Sequence, residues 1–213
     1  GASAHKLAGS AYTLEQIITA GIENCKRACA PYGALTALDV GPLGELLEPS
    51  GTLAFEDAVA EYSRIVKAGE AAGADLIFFE TYTDLYELKA ALLAAKENTH
   101  LPILASMSFE AGGRTFTGCT VESFAATARG LGADAVGINC SLGPKEIFPM
   151  AKRLAEAVPG NFPVFVKPNA GLPRADGSGY DITPQLFALQ MKPYRELHLF
   201  AAGGCCGTTP EFI

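Results

Sequence analysis

An α/β fold of the (βα)8 barrel type, present as about six βα units with the first two strands expected to precede Gly1, is what this sequence predicts. Three observations carry that expectation. Helical and strand-like stretches alternate at roughly 30 residues, the size of one βαβ unit. The strand-like stretches are near-continuous apolar runs, as parallel strands covered on both faces require. Each ends in a polar or reactive residue: Asp39, Glu80, Ser108, Asn139 with Cys140, Asn169, and Cys205 with Cys206. An open doubly wound sheet concentrates its site at one switch point, whereas a barrel draws on all its strand ends, so the distribution favours the barrel.

Thr13-Leu-Glu-Gln is a capping box, and Leu14, Ile17, Ile18, Gly21, Ile22 and Cys25 follow at helical spacing towards a stop near Pro31-Tyr-Gly33. Leu35–Val40 reads as a strand closed by Gly41-Pro42, and a loop leads to a helix from about Phe55 to Ala72. Asp75–Glu80 is the next strand, Asp84–Asn98 a capped helix, and Ile103–Ser108 a strand. Helices are expected over Val121–Leu131, Pro144–Ala157 and Pro184–Gln190, and strands over Ala135–Asn139, Val164–Lys167 and Leu197–Ala201. Gly-Ala-Asp recurs at 73–75 and 132–134, where a helix must turn tightly into a strand.

A chain of 213 residues can bury a sizeable core, so positions 1–213 are read as one barrel domain. It is expected to be partial at both ends, since it opens on Gly1 and stops at Pro210-Glu-Phe-Ile213, where a helix is starting. With 49% hydrophobic and 18% charged residues but no bilayer-length apolar run, the composition excludes a membrane span. The net charge of −7, spread without a Lys/Arg cluster, argues against nucleic acid and for a small-molecule substrate. Six cysteines without disulfide-framework spacing or a secretory signal point to a reducing cytoplasm.

Vicinal cysteines rarely bridge each other, because the small ring strains the S–S dihedral, so Cys205 and Cys206 look outward for a soft metal. Cys140 ends a strand two units earlier, and in a barrel the three sulfurs face a common mouth. Three thiolates can hold Zn²⁺ and leave one tetrahedral position open, as catalytic zinc does. Cys25 and Cys29 lie on a helix remote from the mouth and are expected to pack in the core; Cys119 follows a strand, with nothing requiring it to bind metal. His5, His100 and His198 lack metal-ligand spacing and read as surface or packing residues. Glu80 should project its carboxylate into the mouth, to accept an ammonium, act as a base or cap the next loop. Asp39 precedes a Gly-Pro turn and reads equally as a turn former. A structural-zinc or redox protein, and a metal-free aldolase with Lys167 as Schiff-base nucleophile, are the alternatives from other classes.

Gly-Ile-Asn-Cys-Ser-Leu-Gly-Pro at 137–144, Pro-Asn-Ala-Gly-Leu-Pro at 168–173 and Gly-Gly-Cys-Cys-Gly-Thr-Thr-Pro at 203–210 together resemble the homocysteine-binding domain of the homocysteine S-methyltransferases. Phe-Phe-Glu-Thr at 78–81 and Asp-Val-Gly-Pro at 39–42 support the resemblance, which covers essentially the whole chain. Within the family, the segment at 168–173 is more similar to bacterial cobalamin-dependent methionine synthases than to the betaine-dependent branch. The resemblance implies a zinc barrel with Cys140, Cys205 and Cys206 as protein ligands and the homocysteine sulfur as the fourth. It further implies Asn169 beside the metal, Glu80 on the substrate ammonium, and the backbone amides of Ala2 and Ser3 on its carboxylate. An unperturbed thiol has a pKa of roughly 8.5 and a coordinated one loses its proton, so methyl transfer to sulfur, giving methionine, is the implied reaction. The methyl donor would be methylcobalamin or 5-methyltetrahydrofolate, brought by cobalamin and folate modules in cis or trans. Betaine and S-methylmethionine are the alternative donors. Against the family pattern, the chain lacks the opening strand with its Asp-Gly motif and the second strand leading into Gly1-Ala-Ser.

Overall fold

The computed structural model describes residues 3–213 and shows six parallel strands in the order β1 to β6, each joined to the next through a helix. The strands are β1 (Ala37–Val40), β2 (Leu76–Tyr82), β3 (Ile103–Met107), β4 (Ala135–Asn139), β5 (Val164–Lys167) and β6 (Ala201–Ala202). The helices are α1 (Leu14–Cys29), α2 (Phe55–Ala71), α3 (Leu85–Asn98), α4 (Val121–Gly130), α5 (Pro144–Ala157) and α6 (Pro184–Met191). Strands with consecutive parallel neighbours are the connectivity of a barrel wall, and β1 and β6 are its two edges among the described residues. No helix among these residues is long and apolar enough to cross a membrane.

Side chains alternate along each strand. Leu38, Val40, Ile77, Phe79, Ile103, Ala105, Val136, Ile138 and Val166 are buried against the helices. Each such large aliphatic or aromatic side chain contributes about 1.5–3 kcal/mol on burial. The opposite, concave face carries Phe78 and Phe165, packed edge to face at 5.2 Å, and above them the polar strand ends. Gly137 makes room there: a Cβ on it would lie 2.2 Å from the Phe165 ring. Helix α3 buries Ala90, Ala91, Ala94 and Ala95 completely, and these small side chains let it lie close against its neighbours.

The repeated Gly-Ala-Asp has a specific purpose. Gly73 and Gly132 end their helices at φ +84° and +88°, a left-handed turn that a side chain would oppose. The aspartate then starts the next strand and fastens it to the previous one. Asp75 Oδ2 accepts the Thr36 N–H at 2.7 Å, and Asp134 Oδ2 accepts the Ile103 N–H at 2.8 Å.

Two expectations need correction. The last strand is not Leu197–Ala201 but Ala201–Ala202: Lys192–Leu197 winds into a 3-10 helix containing Pro193, and His198 turns at φ +49°. The chain joins the sheet only where the Phe200 N–H reaches the Val164 carbonyl at 2.8 Å. Cys25 is exposed and not in the core, and Cys29 is partly covered. Helix α1 packs through Leu14, Ile18 and Ile22, and its Gly21–Cys25 side overhangs the edge strand β1.

Candidate metal centre

The sulfurs of Cys140, Cys205 and Cys206 converge, all within 4.8 Å of one another, and the Cys140 and Cys206 sulfurs are 3.7 Å apart. Zinc held tetrahedrally at about 2.3 Å from sulfur places its sulfurs about 3.8 Å apart, so the cluster needs little adjustment to take the ion. Three soft donors suit zinc and do not suit magnesium or calcium. The residues present therefore fit the metal that the motifs imply.

Local backbone geometry produces this convergence. Cys140 and Ser141 both adopt left-handed conformations, at φ +64° and +61°. Such residues cost on the order of 1–3 kcal/mol each and persist only where the surroundings hold them. Here the Cys140 N–H donates to the Lys167 carbonyl at 3.1 Å, the Leu142 N–H closes on the Cys140 carbonyl at 2.7 Å, and the Ser108 and Ser141 hydroxyls are 2.8 Å apart. On the other side the Cys205 N–H donates to the Pro168 carbonyl at 2.8 Å, and the Cys206 N–H to Asn169 Oδ1 at 3.0 Å. The flanking glycines leave space: a Cβ on Gly204 would meet Thr208 Oγ1 at 2.4 Å, and one on Gly207 the Tyr180 ring at 2.2 Å.

The thiols share charge. A hydrogen bond from Cys205 lowers Cys140 to about 7, outweighing its partial burial. The same bond, reinforced by burial, pushes Cys205 above the ordinary thiol range. Cys119 stands apart, donating to the Thr120 carbonyl at 3.2 Å, and burial raises it to about 11. His5, His100 and His198 are all exposed, as expected.

Glu80 does reach the mouth, at the end of β2, where the register with β3 shifts between Phe79 and Tyr82 and Thr81 takes φ +66°. Such a bulge redirects a side chain. Glu80 Oε1 accepts from Lys167 Nζ at 2.5 Å and from Asn139 Nδ2 at 3.2 Å. Asn139, fully buried, is the hub that sequence reasoning noticed only as a strand-end polar residue. Its Oδ1 accepts the Ser106 hydroxyl at 2.9 Å and the Thr81 N–H at 3.2 Å, while Nδ2 also points at Cys205 Sγ, 3.6 Å away. Lys167, considered above as a nucleophile, is Glu80's ion partner. Asp39, at the rim, is raised by partial desolvation and then by the negative charge of Glu80.

Ser3 is buried, with its hydroxyl donating to the Leu43 carbonyl at 3.2 Å and its carbonyl accepting the Leu7 N–H at 2.9 Å. It is thus fastened to the loop after β1; Ala2 lies outside the described residues. That loop is gripped by a residue with no motif to announce it: buried Glu87, on α3, accepts the Leu43 N–H at 2.7 Å and the Tyr62 hydroxyl at 2.9 Å.

Comparison with known proteins agrees with this geometry. The family model for homocysteine S-methyltransferase matches residues 1–213. Methionine synthases of Mycobacterium leprae and Mycobacterium tuberculosis are each 36% identical over 149 residues, which is 66% of this chain and 12% of those much longer proteins. Among solved structures, the homocysteine methyltransferase MmuM from Escherichia coli superposes with a TM-score of 0.80 in its oxidized form and 0.77 in its metallated form. In both forms it is 22% identical, over 98% of this chain and 73% of MmuM, a likeness of fold.

Proposed function

Because the chain belongs to the homocysteine S-methyltransferase family, we propose that it binds homocysteine at the cysteine cluster and presents its sulfur for methylation to methionine. The observation that carries this reading is the placement of Glu80 one amide away from Cys205, through Asn139. A short amino acid with a terminal thiol spans that interval, its ammonium on Glu80 and its sulfur at the cysteines. Cys140, Cys205 and Cys206 would hold zinc, which when bound supplies the positive charge that stabilises the substrate thiol as a thiolate.

The chain's own residues do the rest. Asn139 fixes the Glu80 carboxylate, Asn169 holds Cys206 in position, and the backbone amides of Ala2 and Ser3 lie on the segment assigned to the substrate carboxylate. Phe78 and Phe165 pack edge to face as an apolar layer below the polar strand ends. The identity with mycobacterial methionine synthases favours the methionine synthase type, with the methyl group carried on cobalamin from 5-methyltetrahydrofolate by other modules. A reducing, cytoplasmic location suits a site built on free cysteine thiols.

The test is turnover of homocysteine to methionine by the metal-loaded protein, offered methylcobalamin, S-methylmethionine or betaine in turn. Methionine from methylcobalamin alone supports the whole reading. Methionine from another donor keeps the homocysteine site and changes the donor. No methionine with any donor, together with no effect of homocysteine on the metal's ligands, rejects the reading in favour of a structural metal.

A further inference from the structure

We infer that Asn139 is a positioning residue of the metal centre: its side-chain amide donates a hydrogen bond to the sulfur of Cys205 when that cysteine ligates the metal. The inference rests on the metal site in the reading above and gives Asn139 a role beyond holding Glu80.

The surroundings decide which way the amide points. Asn139 Oδ1 accepts the Thr81 backbone N–H at 3.2 Å, and that group can only donate, so it is Nδ2 that faces Cys205. Ser106 reinforces the choice from β3, its hydroxyl lying 2.9 Å from the same oxygen. The side chain is completely buried, so water does not compete for its hydrogens.

The amide nitrogen carries two hydrogens and faces Thr81 Oγ1 at 2.7 Å, Glu80 Oε1 at 3.2 Å and Cys205 Sγ at 3.6 Å. One hydrogen goes to Thr81, the shortest contact. The other lies between Glu80 and Cys205, and Glu80 Oε1 already accepts from Lys167 Nζ at 2.5 Å. A cysteine that ligates a metal is a thiolate, and an ionised acceptor draws a donor more strongly than a neutral thiol does. The second hydrogen therefore goes to sulfur.

Asn139 and Cys140 are neighbours at the end of β4, so one supplies a ligand while the other steadies a ligand from the loop after β6. The backbone N–H of Cys205 is held by the Pro168 carbonyl at 2.8 Å, and the amide of Asn139 adds a hold on the sulfur itself. Three thiolates more than neutralise a divalent ion. A donor that draws off part of that charge acts with greater strength in a buried site than in water.

The experiment loads isotope-labelled protein with a spin-active cadmium isotope and records proton–cadmium correlations by NMR. Coupling to the β-protons of Cys140, Cys205 and Cys206 identifies the site. A further correlation from one proton of a side-chain amide pair is expected, and Asn139→Ser, or Asn139→Asp where the first does not fold, should lose it. Chelator competition then compares zinc affinity: Asn139→Ser should lose about 10- to 100-fold, while Ser106→Ala, which keeps the amide donor, should stay within about threefold of wild type. Cadmium on the three cysteines with no side-chain amide proton coupled to it overturns the inference, as does an Asn139→Ser variant with wild-type zinc affinity. Either result leaves the homocysteine reading standing. Cadmium that does not couple to the cysteines removes the metal centre, and the inference falls with it.

Discussion

The side-chain oxygen of Asn169 accepts the backbone N–H of Cys206 at 3.0 Å, tying the vicinal cysteine pair to the loop that follows β5. Asn169 is itself buried, so this bond is shielded from water. Groups that orient metal ligands in this way are typically worth 10- to 100-fold in metal affinity. Asn169→Ala should therefore weaken zinc binding by about 10- to 100-fold with little change in fold, as measured by competition with a chromophoric chelator. Unchanged affinity would show that Cys206 is positioned by other contacts.

The floor of the mouth makes a packing prediction. A Cβ at position 137 would sit 2.2 Å from the Phe165 ring, which is itself wedged against Phe78. Gly137→Ala should cost about 1–3 kcal/mol in chemical denaturation, the usual scale for overpacking. A neutral result would mean that Phe165 swings freely into the concave space.

Glu87 gives a pH dependence with a definite sign. Burial raises its pKa above 4.5, against the opposing effect of the Leu43 N–H and Tyr62 hydroxyl bonds. The folded state thus holds the proton more tightly than the unfolded chain. The stability this contributes is full below 4.5 and is lost as pH rises through the raised folded value. Gln can accept the same two hydrogen bonds without ionising. The stability of wild type minus that of Glu87→Gln should fall as pH rises from about 4.5 towards neutrality, as read by urea denaturation at each pH. A difference that is flat, or that rises, contradicts the burial argument.

Metal should stabilise the fold, because the three ligands come from the ends of β4 and β6, far apart in sequence. Zinc at about 100 times its dissociation constant should add about 2.7 kcal/mol to unfolding, and removal by chelator should reverse the gain. Cys206→Ser should lose most of it. A thermal melt insensitive to zinc would contradict metal binding by the folded chain.

Much of the scaffold was legible in the sequence because its signals are local. The Thr13 capping box starts α1 at Leu14, and α5 runs from Pro144 to Ala157 as its flanking residues imply. The cysteine trio was legible because each member ends a strand, and parallel strands bring their ends together. What was not legible is non-local or conformational. Asn139 contacts residues from β2, β3 and the loop after β6, and nothing in its own neighbourhood announces such a hub. The left-handed turn at Cys140 and Ser141 is adopted by residue types that usually avoid it. The last strand was misplaced because Leu197-His-Leu-Phe has the apolar look of a strand, yet the 3-10 helix ending at Leu197 and the left-handed turn at His198 delay its entry into the sheet.

The central claim is that three cysteines hold a metal with one position left for a substrate sulfur. X-ray absorption at the zinc edge, recorded on the protein with and without homocysteine, tests it most directly. The account predicts three sulfur neighbours and one lighter atom before addition, matching the converging cysteines, and a fourth sulfur replacing the lighter atom afterwards. A sulfur count that homocysteine leaves unchanged, or that Cys206→Ser leaves unchanged, would contradict it.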